Sequence, residues 1–207
     1  MTPLQQNCTV LWCTATMKGA VVDPGGDVER IRQAVDANGV TVDAVWLTHG
    51  HLDHAGGARD LADQLGVPIV GPDRRDEWLL DSLEEEGGKW GMATRNVTPD
   101  RWLEDGETVS VGELILDVHH TPGHTPGHVV FHHAPSKLAL VGDVLFAGSV
   151  GRTDFPRSDP QALIRSVVTK LWPMGDDTTF LPGHGGVSTF GRERQTNGFV
   201  ADRVLQG

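Results

Sequence analysis

A surplus of basic residues, a long apolar run and tyrosine are all missing from this sequence, and it contains only two cysteines. Its 17 Lys and Arg residues against 28 Asp and Glu residues give a net charge of -11. That charge argues against general binding to nucleic acid or to an anionic membrane surface. No apolar stretch approaches the roughly 20 residues that a helix needs to span a bilayer. The sequence therefore predicts a globular protein whose partner is a small molecule.

The first residues lack the basic and apolar regions of a secretory signal, so we expect a cytoplasmic protein. Cys8 and Cys13 lie five positions apart in a predicted extended segment, which directs their side chains to opposite faces. The two thiols are therefore not expected to pair. Buried thiols that act as small apolar side chains are the favoured interpretation, because no activating motif lies near either one.

The most informative stretch is residues 48–54, which places four possible metal ligands within six positions. These ligands are His49, His51, Asp53 and His54. The stretch follows the apolar run 44–47 and precedes a predicted helix over 55–65. Imidazole nitrogen and carboxylate oxygen suit zinc, iron or manganese. A His-rich surface loop is the alternative interpretation, so the motif needs support from elsewhere in the chain.

Strand and helix patterns alternate along the chain. The predicted strands lie at 9–12, 19–23, 42–48, 67–71, 108–111, 113–119, 129–132, 137–141 and 179–181, and the predicted helices lie at 27–38, 55–65 and 159–171. Asp27 is the expected N-cap of the first helix. Because two strand-rich halves are each followed by helices, we expect two sheets packed face to face with helices outside. No linker or low-complexity segment interrupts residues 1–207, so one domain is predicted.

The second half of the chain supplies three more possible ligands. His124 lies in a Gly- and Pro-rich loop after a strand, Asp143 follows the strand 137–141, and His184 follows the strand 179–181. Binding sites in layered folds collect in the loops at strand ends. We therefore expect these three side chains to join the 48–54 stretch.

Seven ligands are too many for one tetrahedral ion, which takes about four. They are His49, His51, Asp53, His54, His124, Asp143 and His184. Two neighbouring divalent ions fit the number, zinc being favoured and iron or manganese remaining open. Asp143 can bridge such ions, and a hydroxide between them can act as a nucleophile near neutral pH. The pattern predicts metal-assisted hydrolysis.

The seven residues in this order resemble the metallo-beta-lactamase superfamily over nearly the whole chain. The resemblance implies an α/β protein with the four-layer αββα sandwich of that fold. It also implies that His49, His51 and His124 bind the first ion and that Asp53, His54 and His184 bind the second, with Asp143 between them. Asp53 and Asp143 then act in catalysis through the metal-bound hydroxide.

Residues 146–156 and 188–197 resemble the short bacterial glyoxalase II-like proteins, which are hydroxyacylglutathione hydrolases or close relatives. The resemblance implies hydrolysis of a thioester such as S-lactoylglutathione. Only 23 residues follow His184, so we expect a single domain without the helical C-terminal domain of full-length glyoxalase II. The absence of tyrosine likewise removes any tyrosine contact of the longer enzymes. Thioester hydrolysis is therefore better supported than glutathione specificity.

Two other function classes stay open. The first is a persulfide dioxygenase-like oxidoreductase, which resembles this chain in the metal loop and in residues 151–155 but uses one iron and oxygen. The second is a metal-binding module without catalysis. A secreted beta-lactamase or a nucleic-acid-processing relative fits less well, because an export signal and a basic surface are both missing. The metal, the acyl group, the thiol carrier and the oligomeric state are left undetermined.

Several further side chains have two possible roles. Arg152 either orients an anionic substrate or pairs with Asp154. His128 is interpreted as a structural residue or as support for the ligands. The remaining histidines are expected to be solvated or hydrogen-bonded, and they are His119, His120, His132 and His133. Residues 72–102 form either a surface helix and loop or a flap over the metals, whose apolar wall would contain Trp78, Trp90 and Met92.

Overall fold

A computed structural model describes residues 4–206 of the chain. Its first sheet has four strands in the order β1-β2-β3-β4. These strands are β1 (Thr9–Trp12), β2 (Lys18–Val22), β3 (Thr41–Trp46) and β4 (Ile69–Val70). The first two strands form an antiparallel hairpin, and β3 lies parallel to β2 and to β4.

The second sheet has six strands in the order β12-β11-β8-β7-β6-β5, and β9 and β10 form a separate short hairpin. The strands are β5 (Thr108–Val111), β6 (Leu114–His120), β7 (Val129–His133), β8 (Leu138–Gly142), β9 (Leu145–Phe146), β10 (Ser149–Val150), β11 (Thr179–Pro182) and β12 (Ser188–Thr189). The strands predicted at 108–111 and 113–119 form an antiparallel hairpin around Gly112, with Ser110 paired to Ile115.

Eight α-helices accompany the sheets within residues 4–206. They are α1 (Val28–Ala37), α2 (Leu52–Ala55), α3 (Ala58–Leu65), α4 (Glu77–Leu80), α5 (Leu83–Lys89), α6 (Pro160–Ser166), α7 (Phe190–Thr196) and α8 (Asp202–Leu205). A π-helical stretch, Val167–Leu171, continues α6. No helix among residues 4–206 is long and apolar enough to cross a membrane.

Three apolar cores separate four layers. The first core joins α1 and α3 to the first sheet, through residues such as Ile31, Leu61 and Val45. The second fills the space between the sheets, where the rings of Trp46 and Phe131 lie 5.3 Å apart. The third packs α7 and the α6 extension against the second sheet. The α/β four-layer αββα sandwich is therefore confirmed.

Strand β3 shows why the sequence produces this arrangement. Val45 faces the helix-covered core and Trp46 faces the core between the sheets, so both faces of the strand are buried. A strand covered on both faces is expected to be almost continuously apolar. Strand β3 ends at Trp46, and the chain after it enters the 48–54 stretch.

The predicted helix over 55–65 is wrong in one respect, because it is broken at Gly56 and Gly57. At this point the turn after β2 contacts the chain directly, because the backbone N–H of Gly57 donates a hydrogen bond to the carbonyl of Pro24 at 2.8 Å. A Cβ on Gly25 would lie 1.5 Å from the carbonyl oxygen of Asp53. The break therefore lets the β2 turn reach the predicted metal loop.

Two smaller expectations are also corrected. The strand predicted over 67–71 is reduced to Ile69–Val70. Asp27 occupies the predicted N-cap position of α1, but its backbone is left-handed, with φ at 51°, and no side-chain capping hydrogen bond forms there. A side-chain N-cap of the usual form occurs at Asp159, before α6, whose carboxylate accepts hydrogen bonds from the backbone of Gln161 and Ala162.

Candidate metal centre

The structure brings all seven predicted ligand residues together at one edge of the two sheets. Four positions explain this: the loop after β3, the loop between β6 and β7, the end of β8 and the end of β11. The residues are His49, His51, Asp53, His54, His124, Asp143 and His184. Because the parallel strands β8 and β11 end side by side, Asp143 and His184 become neighbours.

The first cluster consists of three imidazole nitrogens. Nδ1 of His51 lies 3.1 Å from Nε2 of His49 and 2.9 Å from Nε2 of His124. Two nitrogens bound to one tetrahedral zinc ion at about 2.0–2.1 Å are separated by a little more than 3 Å. The three nitrogens are thus placed to hold one ion with a modest outward movement.

The second cluster combines two imidazoles with a carboxylate. Nε2 of His184 lies 3.0 Å from Oδ2 of Asp53, and Nε2 of His54 lies 3.8 Å from the same oxygen. Asp143 lies between the clusters: its Oδ1 is 3.3 Å from Nε2 of His54, and its Oδ2 is 3.6 Å from Nε2 of His124. One carboxylate therefore faces the ligand atoms of both clusters.

The burial of these atoms tests whether the residues fit metal ions. Nε2 of His54 and Oδ1 of Asp143 are shielded from solvent and have no hydrogen-bond partner of good geometry among the described residues. An unsatisfied buried polar atom is costly, and a divalent ion would satisfy both. Gly183 leaves the gap open, because a Cβ there would lie 2.1 Å from Oδ1 of Asp143. The donor set fits divalent metals.

The charge states of the site favour metal binding. Burial lowers the pKa of His49 far below its usual range and that of His51 to about 3, so both imidazoles are neutral at pH 7. For Asp143, burial opposes ionisation, but the neighbouring His54 and His124 hold its pKa well below the usual range. Neutral imidazoles and ionised carboxylates are the forms that coordinate metals.

His54 differs from the other ligand histidines. Burial acts to lower its pKa, yet the carboxylates of Asp143, Asp53 and Asp23 raise it well above the usual value. Three carboxylates around one imidazole produce a strongly negative electrostatic potential. Divalent cations at the two clusters would neutralise more of this negative charge than a single proton on His54 does.

Asp23 is a supporting residue that the sequence interpretation missed. Its Oδ2 accepts hydrogen bonds from the Thr48 hydroxyl at 2.6 Å and from Nδ1 of His54 at 2.9 Å. The Thr48 hydroxyl in turn accepts from Nδ1 of His49 at 3.0 Å. These contacts leave Nε2 of both rings directed at the metal positions. The available signal was that Asp23, like the ligands, directly follows a strand.

Asp76 is a second missed residue, and it is fully buried. Its carboxylate accepts hydrogen bonds from the Thr125 hydroxyl at 2.7 Å and from the backbone N–H groups of Gly50 at 3.0 Å and Gly127 at 2.6 Å. It therefore ties the loop of His49 and His51 to the loop of His124. Burial raises the pKa of Asp76 to about 6. Nothing in its sequence surroundings indicated this role.

His128 and Arg152 lie beside the ligands. Nε2 of His128 accepts a hydrogen bond from the backbone N–H of Asp143 at 3.0 Å, so this nitrogen already has a partner. The Arg152 guanidinium makes two hydrogen bonds to Asp154, at 2.9 and 2.7 Å. Its backbone carbonyl accepts from Nδ1 of His124 at 2.8 Å, a contact that the sequence did not indicate.

A cleft of about 590 Å³ opens onto the two clusters. Its wall is largely apolar and includes Trp78, Leu83, Trp90, Phe146 and Phe155. The flap interpretation of residues 72–102 therefore agrees with the positions of both tryptophans. It is wrong for Met92, which packs against the first core and does not line this cleft.

Two cysteines and two histidines complete the inventory of predicted residues. Cys8 and Cys13 are both free, and burial raises the pKa of Cys8 to about 12, so it is a poor nucleophile. Nε2 of His120 bonds to the carbonyl of Pro126, and Nδ1 of His133 bonds to the Ser136 hydroxyl, each at 2.8 Å. Those two histidines are hydrogen-bonded, as expected.

Comparison with known proteins agrees with this geometry. The family model described as "Metallo-beta-lactamase superfamily" matches residues 1–184. The chain belongs to the metallo-beta-lactamase superfamily. Members of this superfamily bind divalent metals, and the His and Asp clusters described above lie within the matched residues.

Three relatives cover almost the whole chain. The hydroxyacylglutathione hydrolase GloC of Haemophilus influenzae is 41% identical over 202 residues, which are 97% of this chain and 95% of the relative. The protein TTHA1623, solved in a di-iron-bound form, is 34% identical with a TM-score of 0.86, covering 96% of this chain and 97% of its own. The BLEG-1 B3 metallo-beta-lactamase is 30% identical with a TM-score of 0.88, covering 97% and 96%. The chain is thus an enzyme of a metallo-hydrolase superfamily.

Proposed function

We propose that the protein is a dinuclear metal-dependent hydrolase that cleaves a small thioester of the S-lactoylglutathione type. The observation that carries this proposal is the position of Asp143, whose two carboxylate oxygens face His54 on one side and His124 on the other. A carboxylate shared by two ligand clusters is the arrangement that a two-metal hydrolase requires. Asp53 and Asp143 are the proposed catalytic carboxylates, acting through the metals that they hold.

Two divalent ions in these clusters would acidify a water molecule and polarise the thioester carbonyl. The chain's own residues determine where the substrate enters. The side chains of His54 and Asp143 are 0% and 9% exposed, whereas those of His184 and Asp53 are 31% and 19% exposed. The open side of the site therefore lies at His184 and Asp53, facing the cleft.

The cleft supports a substrate with an apolar portion. Phe155 lies against the ring of His51, with centroids 4.9 Å apart, and Phe146 lies against that of His184 at 6.0 Å. Aromatic side chains beside the ligands exclude bulk water from the reacting carbonyl. Trp78 and Trp90 also line the cleft, and their apolar surface would be available to the thiol carrier.

The identity of the carrier depends on charge. Arg152 lines the cleft, and its guanidinium pairs with Asp154. Glu86 adds a negative side chain to the same wall. An acidic carrier such as glutathione would exchange the Asp154 partner of Arg152 for its own carboxylate. The name of the Haemophilus influenzae relative supports glutathione as that carrier.

The metals are proposed to be zinc, with iron as the main alternative. Imidazole nitrogens and carboxylate oxygens accept both metals. The relative TTHA1623 was solved with two irons, which supports a dinuclear site and leaves the element open. The cytoplasmic location stays a prediction.

The decisive experiment pairs metal content with a substrate panel. Protein purified without chelator is analysed for metals and assayed on S-lactoylglutathione, on a smaller acyl thioester, on nitrocefin as a lactam and on glutathione persulfide with oxygen uptake. We expect two ions per chain and cleavage of the thioesters. One iron per chain with oxygen uptake and no thioester cleavage would establish the dioxygenase-like alternative instead, and cleavage of nitrocefin alone would point to a lactamase.

A further inference from the structure

A group of possible metal ligands, separate from both clusters of the metal centre, lies on the outer face of the six-stranded sheet. It consists of Asp117, His119 and His132. Strand β6 directs Leu116 and Val118 into the core between the sheets, so Asp117 and His119 lie on the opposite face. In strand β7, His132 pairs directly with Asp117, and Val130 pairs with His119. The three polar side chains therefore share one face of two adjacent strands.

The geometry of this group is that of an incomplete metal site. A ring nitrogen of His119, a ring nitrogen of His132 and a carboxylate oxygen of Asp117 all lie within 4.8 Å of one another. The two rings have centroids 6.1 Å apart. Cross-strand neighbours in an antiparallel pair are held at nearly constant separation by the backbone, so the group is already ordered.

The sequence interpretation of these two histidines as solvated or hydrogen-bonded is wrong for one nitrogen of each ring. Nε2 of His119 and Nε2 of His132 are both shielded from solvent, and neither has a hydrogen-bond partner among residues 4–206. His132 is only 8% exposed. A buried polar atom without a partner destabilises the folded protein, and a ligand bound by both nitrogens would remove that penalty.

The neighbours of this group include an apolar residue and a cation that is already paired. The residue paired with His132 on the other side, in β8, is Ala139, whose side chain has no polar atom. Asp117 is exposed and opens the group to solvent. Lys170, the nearby cation on the α6 extension, is engaged with Asp105 at 2.6 Å. Burial lowers the pKa of both imidazoles, which keeps them in the neutral form that binds metals.

We propose that Asp117, His119 and His132 bind one additional divalent transition-metal ion of the zinc class. Two imidazoles and one carboxylate are a donor set that suits zinc and leaves a fourth position for water. The ion would join β6 to β7 on the face away from the core between the sheets. This site is independent of the proposed hydrolase centre, since it shares no residue with it.

The test counts zinc ions per chain. Wild-type protein and the double variant His119→Gln/His132→Gln are each dialysed against zinc alone, and bound zinc is measured by elemental analysis. We expect the wild type to bind one ion more than the double variant, whatever number the hydrolase centre holds. The control is His133→Gln, because the wild-type His133 ring bonds to Ser136 and is not one of the three proposed ligands. This variant should keep the additional ion. Thioester hydrolysis should change by less than about twofold in both variants.

A second measurement covers the case in which the double variant does not fold. Crystals of the wild type soaked in zinc chloride should show an anomalous peak about 2.0–2.2 Å from ring nitrogens of both His119 and His132. The single variant His119→Gln should lose that peak and retain those at the hydrolase centre. Equal zinc content in the wild type and in His119→Gln/His132→Gln, or no peak between the two rings, would refute the site.

Discussion

Oδ2 of Asp23 accepts a hydrogen bond at 2.9 Å from Nδ1 of His54, a residue 31 positions further along the chain. The same carboxylate binds the backbone N–H of Thr48 through its other oxygen at 2.7 Å. Asp23 is thereby attached to both ends of the 48–54 stretch. Its side chain is buried, so no water competes for these bonds. The turn after β2 therefore positions ligands of both clusters.

Replacement of Asp23 should weaken metal binding without removing a ligand. In Asp23→Asn, one acceptor oxygen becomes an N–H donor, so at least one of the three hydrogen bonds that Asp23 accepts from Thr48 and His54 is lost. Mutations of such supporting residues typically cost about 10–100-fold in metal affinity or activity. Competition with a chromophoric chelator measures the affinity. Asp36→Asn, on the exposed side of α1, is the control and should bind metal like the wild type.

Removal of the shared carboxylate should abolish turnover. Asp143→Ala takes away the group that faces both clusters, and we expect kcat for the thioester to fall by at least about 1000-fold, which corresponds to roughly 4 kcal/mol. His133→Ala is the control, because its ring bonds to Ser136 on the protein surface. Comparable losses in the two variants would show that the assignment of Asp143 is wrong.

A side chain at position 25 should disrupt the contact between the β2 turn and the metal loop. In Gly25→Ala, the new Cβ would lie 1.5 Å from the carbonyl oxygen of Asp53, so backbone must move. We expect lower thermal stability and lower metal content together, since the displaced residue is itself a proposed ligand. Gly88→Ala, at a position in α5 with open space around it, is the control. Unchanged metal content in Gly25→Ala would contradict the contact.

Asp76 should make stability depend on pH. Because its pKa is raised to about 6, the folded protein holds this proton more tightly than the unfolded chain does at pH 4 to 6. Stability due to this group is therefore greatest in acid and falls as the pH rises through 6. The free energy of unfolding of the wild type should fall by roughly 2 kcal/mol relative to Asp76→Asn between pH 4.5 and pH 7.

Chemical denaturation of both proteins at several pH values measures this difference. The variant is expected to be weaker overall at every pH, because one amide oxygen cannot replace two carboxylate oxygens that accept three hydrogen bonds. Only the change of the difference with pH tests the prediction. Parallel pH profiles for the two proteins would show that Asp76 has an ordinary pKa.

Much of the site follows from sequence because its ligands occur in recognisable local positions. His49, His51 and Asp143 each lie just beyond an apolar strand, and strand ends at one edge of a sheet converge. The layered fold followed from the order of the patterns, because two strand-rich halves are each followed by helices. These features depend on patterns over a few neighbouring residues, so they can be recognised in the amino-acid sequence without the tertiary structure.

The remaining features depend on contacts between distant segments. Asp23, Asp76 and the carbonyl of Arg152 support the ligands across separations that no periodic pattern records. The break at Gly56 and Gly57 lies where the turn after β2 makes close backbone contacts with a segment whose sequence pattern is helical.

His119 and His132 lie 13 positions apart, and only the register of β6 with β7 makes them neighbours. The sequence by itself determined the ligand types and the layers, because composition and alternation are local properties. Tertiary structure alone decided which polar atoms are buried without partners, because burial depends on everything packed around them.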